Sequence, residues 1–209
     1  VAGMHDVIGD RAFGSDHQTV STCARAYCEG LTQGGVQPMI KHMPGHGRVA
    51  VDPHDVLPST DADMETLRNH DFRPFQALAD VPWGMTAHVV YKAVDAERPA
   101  TQSPAVIGDI IREKLGFDGV LTSDAIDMSA LSGSHPERAR LSLAAGCDVV
   151  MHCNQPLELR RAVAEAVPEL EGDALRRVEA AAACKTAPTP DFDRQSAMAR
   201  LDNLIAKTA

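Results

Sequence analysis

Four short apolar segments, each preceded by an amphipathic stretch and each running into polar, reactive residues, restrict this chain more than any other feature. They are Gln37-Pro38-Met39-Ile40-Lys41-His42, Trp83-Gly84-Met85-Thr86-Ala87-His88, Gly119-Val120-Leu121-Thr122-Ser123 and Asp148-Val149-Val150-Met151-His152-Cys153. The spacing predicts helices over about 16–34, 60–79, 103–116 and 136–145. The first has Asp16 as its cap and Gly34-Gly35 as its stop. The third is the best punctuated: Ser103 caps it, Pro104 takes its first position, and Gly116 ends it. Its apolar face is Val106, Ile107, Ile110, Ile111 and Leu115. Strands alternating with helices in this way imply a parallel sheet covered by helices.

Lys41 and His42, His88, Asp124 and Asn154 all fall where a strand ends. A (β/α)8 barrel or an open α/β sheet places its active site there. Beyond Asn154 only helical material follows, at about 156–167, 172–184 and 191–207. Pro188-Thr189-Pro190 separates the last two helices. The expected organisation is a catalytic domain over 1–187 and a C-terminal helical tail over 188–209, packed on the same domain.

The 209 residues would suffice for a compact complete barrel, usually ~200–250 residues long. Four strands close no barrel, however. The expectation is therefore half of a (β/α)8 (TIM) barrel, its N-terminal half missing from this chain or supplied by another. A small open α/β sheet is the competing fold.

Composition narrows the partners. A formal charge of −9 excludes the clustered cations that nucleic acid requires. No apolar run reaches membrane-spanning length. The five cysteines are an odd count without a compact framework, so they read as reduced thiols and favour the cytoplasm. No Cys-x-x-Cys pair exists, which argues against zinc held by sulfur.

The segment from Lys41 to Pro58 holds three His, two Asp, one Lys and one Arg among Gly and Pro. Loops of this length in compact domains usually serve function or are disordered. Asp52, two residues from His54, can reach one ring nitrogen, fix the tautomer and support the protonated form. The other nitrogen then faces outward to give or take a proton. The plainer alternative is a capping Asp beside a surface His. A metal site built from His42, His46, His54 and Asp52 is a further reading. The Pro44-Gly45 break keeps His42 and His46 off one helical face, which disfavours it. Asp124 ends a strand in Ser123-Asp124-Ala125-Ile126-Asp127-Met128. A rim carboxylate held by the ladder behind it can attack an anomeric carbon covalently; its ordinary alternative is a helix cap.

The run Lys41-His42-Met43-Pro44-Gly45-His46-Gly47, followed by Asp52-Pro53-His54, is similar to the Lys-His-Phe-Pro-Gly-His-Gly…Asp-Ser-His signature of bacterial β-N-acetylglucosaminidases of the third glycoside hydrolase family. Gly119 to Met128 resembles that family's Gly-Val…Ser-Asp-Asp-Leu-x-Met, and Gly9 to Gly14 its Gly-x-Arg-Ser/Ala-Phe-Gly. Ala145-Gly146-Cys147-Asp148 also fits, so the similarity runs from about residue 1 to 155.

The resemblance implies the C-terminal half of a (β/α)8 barrel beginning just after its fourth strand. Asp124 would be the nucleophile, His54 the general acid/base and Asp52 its partner. Lys41 and His42 would bind N-acetylglucosamine hydroxyls with help from Arg11. His46 would shape the loop, and His88 and Tyr91, a His-x-x-Tyr of the family, would be structural. Three departures stand out: Met43 for Phe, Pro53 for Ser, and Ala125 for the second Asp of Ser-Asp-Asp. The family's sugar-gripping Asp and Arg on an earlier strand have no counterpart in this sequence.

The implied chemistry is retaining removal of terminal β-linked N-acetylglucosamine through a glycosyl-enzyme, from muropeptides during cell-wall recycling in the cytoplasm, with no cofactor. The implied partners are the carbohydrate and either a complementary N-terminal half or a second copy covering the open barrel. Two alternatives are a phosphorylase, since a histidine acid/base would not repel phosphate, and a sugar-binding fragment or subunit without turnover of its own. A metal hydrolase on a similar barrel ranks last.

Overall fold

The computed structural model describes residues 12–49 and 57–206. Its centre is a four-stranded parallel sheet, β1 (Met39–Met43), β3 (Trp83–Thr86), β5 (Val120–Ala125) and β6 (Val149–Met151), ordered β1-β3-β5-β6. Neighbours in sequence are neighbours in space, with helical crossovers between them, as parallel pairing requires. β2 (Ser59–Thr60) and β4 (Val90–Tyr91) add a short parallel pair beyond the ends of β1 and β3. Among the described residues, β1 and β6 each pair on one side only, which is the sheet of a partial barrel.

Helix α1 (His17–Gln33) starts on Asp16, whose carboxylate accepts from the N–H groups of Gln18 and Thr19. The expected helix near 60–79 is broken instead. It comprises α2 (Met64–Thr66), a wide turn over Leu67–Asp71 and α3 (Arg73–Ala77). Pro74 has no N–H to offer the His70 carbonyl, and the ladder slips until the Phe72 N–H meets the Leu67 carbonyl. The helix Val106–Lys114 is likewise wide, its last turn closing from the Leu115 N–H to the Ile110 carbonyl. It buries Val106, Ile107, Ile110 and Ile111 as the spacing predicts. They pack with Ile40, Met43, Phe117 and Leu121 in the main core, each contributing ~1.5–3 kcal/mol of burial.

Gly84 lets Met43 and Phe117 meet across β3, since a Cβ there would lie 2.7 Å from Met43 Sδ and 2.8 Å from Phe117 Cζ. Helix α4 (His135–Ala144) opens with a capping box between Ser134 and Glu137. It faces α5 (Leu157–Ala166) across a second core of Ile126, Leu131, Ala139 and Val163.

At the N-terminal end of the sheet, Asp148 is the hub. Its Oδ2 accepts from Arg112 at 2.7 Å and from the Leu121 N–H at 2.8 Å; its Oδ1 accepts from Arg177 at 2.9 Å. This joins the Val106–Lys114 helix, β5 and α6 (Gly172–Ala183). The chain then ties back to α1 through Thr189, whose N–H and hydroxyl both donate to the Gln33 carbonyl. α7 (Arg194–Ile205) buries none of its residues.

Candidate active site

The C-terminal ends of β1, β3 and β5 bring the candidate residues together. On β1, Lys41 pairs with Met85 but Met43 pairs with Thr86, so His42 is one extra residue in the strand. On β5, Thr122 pairs with Val149 but Ala125 pairs with Met151, so the Ser123-Asp124 step also carries an extra residue. A bulge breaks the in–out alternation and re-aims a side chain. Here the two bulges fall at His42 and at Ser123-Asp124.

His42 Nε2 lies 3.6 Å from Asp124 Oδ2, with the side chains 17% and 15% exposed. This is an electrostatic approach rather than a short hydrogen bond. Asp124 Oδ1 accepts from the Ala125 N–H at 2.8 Å, which fixes the carboxylate plane. Ser123, buried beside it, accepts the Met151 N–H on its hydroxyl at 2.9 Å and replaces the ladder bond that the bulge removes. Lys41 is exposed on the same strand end. His46 is buried, its ring centroid 5.7 Å from that of His42.

Asp127 has a different task. Its carboxylate accepts from the Cys153 N–H at 3.1 Å and from Gln155 at 3.3 Å. Burial is the largest single influence and works to raise its pKa, but the Cys153 N–H, its own N–H, Gln155 and the field of His152 together outweigh it, and the carboxyl titrates below the ordinary range. Asp127 is thereby committed to the β6 rim, whereas Asp124 faces His42. Further along that rim His152 Nε2 and His135 Nδ1 share a proton at 3.0 Å. Burial, then the neighbouring His135, lowers the His152 pKa. Among the described residues no three His, Cys, Asp or Glu side chains converge as metal ligands.

Arg11, Asp52 and His54 lie outside the described residues, as does Pro53. The near end of their loop is described. Arg48 Nε donates to the buried Asp71 at 2.7 Å, and the Val49 N–H donates to the His46 carbonyl. The Tyr91 hydroxyl donates to the Gly45 carbonyl. Local spacing points Asp71 to a different partner: Arg68 stands three residues before it, whereas the guanidinium it meets, that of Arg48, lies 23 residues away. His88 and Tyr91 are both buried, and each bonds to a different rim of the site.

Two cavities flank the sheet. One of about 350 Å³ opens at the opposite end of the strands, bounded by Arg25, Gln37, Asp80 and Cys184. A groove of about 260 Å³ follows the open side of β1, reaching Lys41 and His42 from Phe13, Tyr27 and Phe75. Asp124 lines neither.

Residues 1–183 match the family described as "Glycosyl hydrolase family 3 N terminal domain". A beta-hexosaminidase of Chromobacterium violaceum is 42% identical over 205 residues, covering 93% of this chain and 57% of that protein. One of Methylococcus capsulatus is 42% identical over 159 residues, covering 74% and 47%. Among solved structures, NagZ from Neisseria gonorrhoeae in complex with N-trifluoroacetyl-D-glucosamine aligns with a TM-score of 0.77 and 35% identity, over 86% of this chain and 52% of that one. The family 3 beta-N-acetylglucosaminidase of a Paenibacillus aligns with a TM-score of 0.78 and 31% identity, over 87% and 36%. The chain thus spans about half the length of the curated relatives it matches.

Proposed function

The chain belongs to glycosyl hydrolase family 3, and from that premise we propose that it forms the C-terminal half of a barrel that removes terminal β-linked N-acetylglucosamine, with Asp124 as nucleophile. The observation that carries this reading is Asp124 itself. It is a half-buried carboxylate on a strand-end bulge, plane-fixed by the Ala125 N–H and 3.6 Å from His42. One oxygen is held by a backbone N–H and the other stands near an imidazole at a strand end, the placement a nucleophile needs.

In the proposed reaction Asp124 attacks C1 while His54, oriented by Asp52, gives its proton to the glycosidic oxygen. The C1–O bond breaks, a glycosyl ester forms on Asp124, and the aglycone leaves neutral. His54, now neutral, removes a proton from water, which opens the ester with overall retention. Most retaining enzymes use a second carboxylate ~5–5.5 Å from the nucleophile. Here a histidine takes the place of that second carboxylate. Lys41 and His42 hold sugar hydroxyls from the β1 end, with Arg11 assisting.

Muropeptide fragments in cytoplasmic cell-wall recycling are the proposed substrates. The open sides of β1 and β6 are to be covered by the complementary half of the barrel or by a second copy. Residues 1–187 act as the catalytic part and 188–209 as a tail on it.

The test is Asp124→Ala in the form that turns over an aryl N-acetylglucosaminide. Release of the phenol should fall at least ~1000-fold, as expected when a covalent nucleophile is removed. Turnover within a few-fold of the parent would dismiss the assignment. Running the parent reaction with and without phosphate decides between N-acetylglucosamine and its 1-phosphate as product.

A further inference from the structure

From the end of β3 through β4, residues 88 and 91 reach two rims of the proposed site at once. His88 is wholly buried, with Nε2 3.0 Å from the Ala125 carbonyl and Nδ1 2.8 Å from the Thr101 hydroxyl. A carbonyl only accepts, so Nε2 carries the hydrogen. In a neutral ring Nδ1 must then accept. Thr101 therefore gives it its proton and takes one from Thr86, 2.8 Å away. The 3.1 Å approach of Thr101 to the Ala87 carbonyl is left without a proton.

Burial holds the ring neutral by lowering its pKa. The fields of Asp124 and Asp127 oppose that effect and the field of Arg138 adds to it. The Thr86–Thr101–His88 chain thus ends on Ala125, whose own N–H orients the Asp124 carboxylate at 2.8 Å.

Three residues on, Tyr91 acts on the opposite rim. Its buried hydroxyl donates to the Gly45 carbonyl, at the root of the loop that leads to Asp52 and His54. Gly45 has φ +145°, and a Cβ there would lie 3.2 Å from the Asp71 carbonyl oxygen. The Tyr91 bond therefore seats the loop root against Asp71, the same residue that Arg48 grips.

We propose that His88 and Tyr91 are positioning residues: His88 fixes the peptide that aims Asp124, and Tyr91 fixes Gly45, from which the chain runs on to the acid/base pair. This rests on reading Asp124 and His54 as the catalytic pair.

Leaving-group dependence tests it, because misfolding scales all substrates alike whereas misplaced acid catalysis does not. Rates are measured on aryl N-acetylglucosaminides with acidic and weakly acidic phenols and divided by the folded fraction from circular dichroism. Tyr91→Phe should lose roughly tenfold or more on the weakly acidic phenol and stay within about twofold on the acidic one. His88→Met should lose roughly 10- to 100-fold in kcat on both, with KM little changed. His88→Gln, whose amide can still donate to Ala125, should recover most of that loss.

In the chain itself, nitrogen NMR of the His88 ring should show the Nε2–H tautomer at neutral pH, the one the Ala125 carbonyl and the Thr101 hydroxyl demand. Losses that merely follow the folded fraction, or the Nδ1–H tautomer, would overturn the proposal. Retained turnover in Asp124→Ala would instead overturn the nucleophile, a separate failure read on a different variant.

Discussion

Replacing Asp148 by Ala should be among the most damaging single changes available outside the site. The carboxylate is 3% exposed and takes three donors: Arg112, Arg177 and the Leu121 N–H. Removing one partner of a buried pair costs about 3–5 kcal/mol, and an amide left unpaired in the core costs about 1–3 kcal/mol. The terms are not independent. Arg112 keeps the carbonyls of Phe117 and Gly119, and Arg177 keeps Asp118. A total of about 3–5 kcal/mol is therefore expected, against typical domain stabilities of about 5–15 kcal/mol. Asp148→Asn keeps an acceptor for Leu121 but loses the charge, and should cost about half as much. Urea unfolding followed by circular dichroism gives both values. If Asp148→Ala falls within about 1 kcal/mol of the parent, the hub does not organise the sheet, and the reasoning that ties the start of β5 to two helices is refuted.

Gly84→Ala should destabilise by about 1–3 kcal/mol through overpacking against Met43 and Phe117; an unchanged urea midpoint would mean the two side chains move aside freely. Stability should also depend on pH through His88 and His152, whose folded pKa values lie below the free value. The unfolded chain then binds the extra protons, so stability is complete above about pH 6.5 and falls as the pH drops below it. His88→Gln should flatten part of that slope in urea titrations at stepped pH, whereas an unchanged slope would assign it wholly to other groups.

Much of the fold was legible because its signals are local. The helix Val106–Lys114 and its flanks announce themselves through Ser103, Pro104, the apolar spacing and Gly116, each of which acts on its own neighbours along the chain. The four strands could be read from apolar runs bounded by turn residues, and their order followed from the alternation with helices. The two-residue strands β2 and β4 carry too few residues to show a period, and the break at Leu67–Asp71 arose from Pro74 within an otherwise helical pattern.

The sequence by itself determined which chemical groups stand at the ends of which strands: Lys41 and His42 on β1, Asp124 on β5. Only the tertiary structure decided how they are aimed. The bulges at His42 and Ser123-Asp124 exist relative to the partner strands, and a register has no meaning until two strands pair. The roles of His88, Tyr91, Asp71 and Asp148 likewise depend on partners 20 to 50 residues away or more, such as Gly45 at 46 and Ala125 at 37. Folding buries these groups, and a buried polar group must find its partner wherever the packed chain places one.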